Sequence, residues 1–146
     1  MTLRIRTNRE QVMDQPQKST LSADSEALAR RCVAICEERK AEDLLLFDVR
    51  ESSILADYYL ICTGTSAPHI SALCNHLRQD LAREGVMARR REGDPESHWV
   101  IMDYGVVLVH IMDPERRRFY RIEDLWENGR LIYQRDGAQP VATQQA

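Results

Sequence analysis

The stretch Asp57-Tyr58-Tyr59-Leu60-Ile61-Cys62, running into Thr63-Gly64-Thr65-Ser66, most limits how this chain can fold. An aromatic-rich apolar run of this length favours a strand. Ser66 can cap a helix that follows at once, with Pro68 in its first turn, where a missing N–H costs nothing. Ile70, Leu73, Leu77 and Leu81 supply the apolar stripe of that helix, and Gly85 stops it. Val86-Met87-Ala88 then reads as the start of a further short strand. Strand, helix and strand in this order predict a right-handed parallel crossover, and so an α/β domain.

The flanking segments fit around that unit. Ser22 or Asp24 can cap an earlier helix with Leu28, Cys32, Ile35 and Cys36 on its inner face, ending near Lys40–Ala41. Leu44-Leu45-Leu46-Phe47 is a short continuous apolar run, as in a strand covered on both faces. After the Glu92–Glu96 loop, Trp99-Val100-Ile101-Met102 and Val106 to Met112 read as two strands. Asp103-Tyr104-Gly105 between them is too short for anything but a tight turn, so they pair antiparallel. Asp113-Pro114 opens a helical turn whose Phe119, Ile122, Leu125 and Trp126 can pack back on the sheet, with Trp126 in the core. The expectation is an α/β domain over residues 22–133, with a mixed sheet of about five strands flanked by helices. Residues 1–21 and 134–146 are polar, without periodicity, and read as flexible extensions.

Charge narrows the partners. The net charge of the 146-residue chain is −3, but residues 24–126 carry 14 basic and 19 acidic side chains, a balance of −5. An acidic domain argues against general nucleic-acid binding and suits a protein partner, including a basic one. No apolar run approaches the length of a membrane span, and the polar N-terminus is not a secretory signal. Cys32, Cys36, Cys62 and Cys74 sit in apolar or helical contexts without a secreted-type framework, which points to the cytoplasm and reduced thiols.

Several features resemble chemistry and are better explained by structure. The Gly64-Thr65-Ser66 turn before a helix N-terminus is a ready anion site. Nucleotidyl transfer there needs two or three carboxylates holding Mg²⁺, and the neighbouring strands offer Asp103 alone. A tight turn with a helix cap is therefore expected, and a nucleotide-dependent enzyme is the alternative. The cysteines, with His69 and His76, form no converging zinc set and read as core or surface residues. His110, within an apolar strand, reads as a satisfied, partly buried histidine. No cofactor and no metal is expected. Arg89-Arg90-Arg91 and Arg116-Arg117-Arg118 with Arg121 read as solvated faces, with contact to RNA phosphates as the second reading. Tyr104, at a turn tip, is expected to be exposed and to anchor a partner. Trp99 can be either core or anchor.

These same residues resemble the ribosomal silencing factors, the Iojap-like proteins. The matching segments, in order, are Lys40-Ala41-Glu42-Asp43, then Asp57 to Ser66 with His69, then Trp99 to Gly105 followed by Val109-His110, and lastly Arg118 to Trp126. The chain departs from the family pattern at Val106, where an acid is usual, and at Pro68, where a longer polar residue is common. The resemblance implies a nucleotidyltransferase-like fold without catalytic carboxylates, and a regulator rather than an enzyme. It implies binding to the large ribosomal subunit through its fourteenth large-subunit protein, beside which the arginine clusters, on their second reading, would add a minor contact to ribosomal RNA. Occupying the intersubunit face would block small-subunit joining and repress translation. By the match, Trp99, Asp103, Tyr104 and Met112 fall on the strand pair expected to face that partner. A homodimer when free, or an adaptor unconnected to ribosomes, is the remaining alternative.

Overall fold

The computed structural model describes residues 24–121 and 129–135. Within them the chain forms α1 (Ser25–Glu38), β1 (Glu42–Asp48), β2 (Tyr58–Thr63), α2 (Ala67–Arg83), β3 (Arg90–Glu92), β4 (Trp99–Asp103), β5 (Val107–Met112), α3 (Pro114–Tyr120) and β6 (Arg130–Arg135). A single 3-10 turn, Pro95–Ser97, precedes β4. The six strands make one mixed sheet in the order β3-β4-β5-β2-β1-β6.

The helix starts follow from their caps. The Asp24 carboxylate accepts from the Ala27 N–H at 3.0 Å, and Ser66 Oγ accepts from the His69 N–H at 3.2 Å. Asp113 accepts from the Arg116 N–H at 2.8 Å and is followed by Pro114, whose ring presets the first helical turn.

The parallel pair is β2 with β5, while β4 and β5 form the expected antiparallel pair. The crossover through α2 leads instead to the far edge of the sheet, where β3 pairs antiparallel with β4. The third strand therefore lies at Arg90–Glu92 rather than at Val86–Ala88. Val86 is buried in the core cluster that α2 helps to form, and its N–H closes the helix end on Leu81 O at 2.8 Å. The sixth strand, Arg130–Arg135, pairs with β1 and extends two residues past the boundary expected at 133. Ile122, Leu125, Trp126, residues 1–21 and the rest of the C-terminal tail lie outside the described residues.

One sheet face is covered by α1 and α2. Leu28, Cys32, Ile35 and Cys36 of α1 and Ile70, Leu73, Leu77 and Leu81 of α2 bury against Leu44, Leu46, Leu60, Val100, Val109 and Ile111. The other face carries a smaller cluster of Phe47, Val49, Ala56, Tyr59, Ile61 and Met112, against which Leu45, Trp99 and Leu108 are partly buried. The short helix α3 meets this second face: its buried Arg117 donates to Thr63 Oγ1 at 2.7 Å. The two faces thus differ in cover, and that difference positions the candidate site.

Candidate interaction surface and the occupied turn

The Gly64–Ser66 turn is where a phosphate would sit, and the first two of its backbone donors are already engaged. The Gly64 N–H donates to Met112 O at 2.9 Å. The Thr65 N–H donates to His69 Nδ1 at 2.9 Å, and the other ring nitrogen, Nε2, lies 2.9 Å from Arg39 O. Since Nδ1 accepts, Nε2 carries the proton and donates to the Arg39 carbonyl. His69 therefore ties the turn to the end of α1. Gly64 is required by close packing, because a Cβ there would lie 2.6 Å from Ile70 Cγ1. The Asp103 carboxylate accepts from the Gly105 N–H at 2.8 Å and lies 3.7 Å from Arg90 Nε. It shapes the β4–β5 turn. Among the described residues no group of three His, Cys, Asp or Glu side chains is placed to hold a metal ion.

All four cysteines are free and buried. Burial pushes the Cys32 thiol up to about 12 and the Cys74 thiol up to about 11. Cys36 is raised by its hydrogen bond with Cys62 and by burial. Thiols held protonated in this way are poor nucleophiles and poor metal ligands, so their place is in the core.

The β4–β5 pair carries the candidate interaction surface. Burial along β4 alternates, so that Trp99, Ile101 and Asp103 turn to the lightly covered face while Val100 and Met102 turn to the helices. The register places Trp99 opposite Met112, Ile101 opposite His110 and Asp103 opposite Leu108. A shallow hollow over this face is lined by Leu55, Tyr59, Ile101, Asp103, Leu108 and His110, with Arg90 and Glu92 on its β3 side. A second hollow beside it is lined by Trp99, Ile101, Arg116 and Tyr120 among others.

Of the four residues expected to face a partner, two lie at the surface of the lightly covered sheet face. Trp99 is half-buried: its Nε1–H donates to His110 Nδ1 at 3.3 Å, and its ring lies 4.9 Å from that of Tyr120. Asp103 is half-buried at the end of β4. Tyr104 does not match the expectation. It is 6% exposed, in the main core, and its hydroxyl has no hydrogen-bond partner. Tight turns expose their backbone, but here the ring folds under the hairpin towards the helices. Met112 is fully buried in the second cluster, beneath the surface it was expected to line.

Phe119 was expected to pack inward and instead, with its neighbour Tyr120, extends the surface. Phe119 is 77% exposed and Tyr120 47%, with their rings edge to face at 4.8 Å. Consecutive residues on a helix point about 100° apart, so adjacent aromatics cannot both face the sheet. Arg117 occupies the inward position of this seven-residue helix. Ile54, wholly exposed, and Leu55, 72% exposed, lie in the β1–β2 loop, with Leu55 at the rim of the same face. His110 is buried within it, and burial lowers its pKa to about 4, which keeps the ring neutral and able to accept from Trp99.

Comparison with known proteins adds a family to this geometry. A family model described as ribosomal silencing factor during starvation matches residues 22–146. The ribosomal silencing factor RsfS of Bacillus subtilis is 32% identical over 108 residues, which cover 74% of this chain and 92% of that protein. A mouse protein named mitochondrial assembly of ribosomal large subunit protein 1 is 29% identical over 97 residues, covering 65% of this chain and 42% of its own length. A crystal structure of a Chromobacterium violaceum protein matches with a TM-score of 0.69 at 28% identity, covering 82% of this chain and 97% of that one.

Proposed function

Because the chain belongs to the ribosomal silencing factor family, we propose that it binds the large ribosomal subunit at its intersubunit face and keeps the small subunit from joining. The family consists of ribosome-associated regulators and not enzymes, and the mechanism needs no chemistry. A folded domain on the joining surface excludes the other subunit by volume. Translation is then repressed for as long as the domain stays bound, in the cytoplasm where both subunits are free.

The observation that carries this reading is the β4–β5 face. It offers a half-buried Trp99, an exposed Tyr120 and Phe119, the apolar Ile101 and Leu108, and the acidic Asp103. Interface centres are built from such aromatic anchors on rigid elements, with charge at the margin. The acidic balance of the domain steers it toward a basic ribosomal protein, and the fourteenth large-subunit protein is the partner this reading names. Trp99 and Asp103 make the contact. Tyr104 and Met112 hold the strands from beneath.

Sucrose-gradient sedimentation with purified subunits tests it. The chain should travel with large subunits and lower the yield of joined ribosomes. Equal recovery with small and large subunits would remove the reading.

A further inference from the structure

Trp99 opens β4, and a half-buried indole at the start of a strand keeps one orientation only where its neighbours hold it. Trp99 is gripped from two sides. Its Nε1–H donates to His110 Nδ1 at 3.3 Å, and its ring lies 4.9 Å from that of Tyr120 at an angle of 44°. The hydrogen bond is the directional part of this grip.

His110 is placed for that task by the strand pair. Along β5, Val107, Val109 and Ile111 pack under the helices, so Leu108, His110 and Met112 turn to the same face as Trp99. The register sets His110 opposite Ile101, two residues along β4 from Trp99, so the hydrogen bond runs diagonally across the pair. The imidazole is itself held. The Tyr59 ring of β2 meets it edge to face at 6.3 Å, and the Tyr59 hydroxyl shares a 2.9 Å hydrogen bond with Ser53 Oγ. The same Oγ accepts from the Leu55 N–H at 3.0 Å. A continuous row therefore runs from the β1–β2 loop through Tyr59, His110 and Trp99 to Tyr120 on α3. Burial at its centre keeps the His110 ring neutral, which puts the proton on Nε2 and leaves the Nδ1 lone pair to accept from Trp99.

We infer that His110 is the positioning residue of this surface: by accepting from Trp99 it fixes the orientation in which the indole meets the large-subunit partner. The inference rests on the large-subunit reading above and adds how the anchor is set before contact. An anchor already ordered in the free protein gives up no side-chain freedom on binding, so His110 raises affinity without touching the partner. An apolar side chain at 110 would fill the same space and leave the indole N–H without its acceptor.

A double-mutant cycle on the full chain tests this, with the parent, His110→Leu, Trp99→Phe and the double variant. Trp99→Phe keeps an aromatic ring and removes the indole N–H, so nothing is left for His110 to hold. Affinity for purified large subunits should fall about three- to tenfold in His110→Leu, as for one neutral hydrogen bond. The same substitution in the Trp99→Phe background should change affinity by less than about twofold. His110→Asn, whose Oδ1 can take the place of Nδ1, should recover most of the loss. Melting curves on the same samples show which variants fold, and His110→Phe replaces His110→Leu if the latter does not. Acrylamide quenching of indole emission reads the free chain, the Trp99 part being the difference between each protein and its Trp99→Phe counterpart. Quenching should rise in His110→Leu and return in His110→Asn. Equal losses of affinity in both backgrounds, or a loss that His110→Asn does not recover, assign His110 to the core and overturn the positioning role. Parent-like affinity or unchanged quenching in His110→Leu overturns it too, with subunit binding left in place. Failure of the parent chain to bind large subunits removes the subunit reading and the partner from this inference, while quenching still reports whether His110 holds Trp99.

Discussion

Tyr104 and His110 are single residues whose surroundings decide what a substitution does. The Tyr104 ring is packed in the main core while its hydroxyl is buried without a partner. Truncating a large buried aromatic costs about 3–5 kcal/mol, so Tyr104→Ala should lower stability by that order in urea unfolding. Tyr104→Phe keeps the packing and removes an unsatisfied polar group, so it should be neutral or stabilise by about 1 kcal/mol. An exposed turn-tip anchor would show the opposite pattern, with both variants folding normally. His110 makes a pH prediction. Its pKa is about 4 when folded against 6.5 for the ordinary side chain, and burial is the cause. Below pH 6.5 the unfolded chain takes up the proton first, so this contribution to stability is present above 6.5 and is lost as pH falls toward 4. The shift is worth about 3 kcal/mol across that window. Protonation also places a hydrogen on Nδ1, where Trp99 Nε1–H now donates. Unfolding of the parent and of His110→Gln at pH 7 and pH 4 should show a steeper loss in the parent. Equal losses would mean that His110 is not held neutral by the fold.

At the scale of elements, what the sequence reveals depends on how each segment is buried. The strands β1, β2, β4 and β5 carry apolar runs because both sheet faces are at least partly covered, and all four were legible. So were α1 and α2, through their caps and their apolar stripes. The edge strands were not. Arg90–Glu92 is exposed at every residue, so no hydrophobic period marks it. It is a strand because its backbone completes the ladder of β4 and a charged edge deters further pairing. Nearby Val86 looked strand-like in sequence, but its burial serves the end of α2. In β6 only Ile132 and Tyr133 are partly buried, the latter donating its hydroxyl proton to Glu37. Two partly apolar positions between arginines are too weak a pattern to read. The orientation of α3 was missed for a related reason. A helix of seven residues has too few turns for a stripe, and the buried group proved to be Arg117.

For the whole molecule, the division between the two sheet faces matters more than any motif. The count of acids argues against nucleotidyl transfer at the Gly64–Ser66 turn, and the structure adds that Met112 O and His69 engage the Gly64 and Thr65 N–H groups. The sequence points to the β4–β5 pair as the candidate surface, but alternation alone could not say which of its residues face outward. Trp99 and Asp103 do, while Tyr104 and Met112 lie under the surface. The surface function therefore predicts an asymmetry between the two sides. Ile101 is half-buried on the β4–β5 face, and Ala34 is exposed on the outer side of α1. Ile101→Glu places a charge in the middle of the proposed contact without entering the helix-covered core. Ala34→Glu adds the same charge on a helix that tolerates it. Both proteins should fold, so both should melt near the parent. Desolvating an unpaired carboxylate at an interface centre costs about 2 kcal/mol or more, near thirtyfold in affinity. Ile101→Glu should therefore lose binding to large subunits and with it the block on subunit joining, while Ala34→Glu keeps both. If the two variants bind alike, the β4–β5 face is not the contact. If Ala34→Glu alone loses binding, the partner sits on the helices.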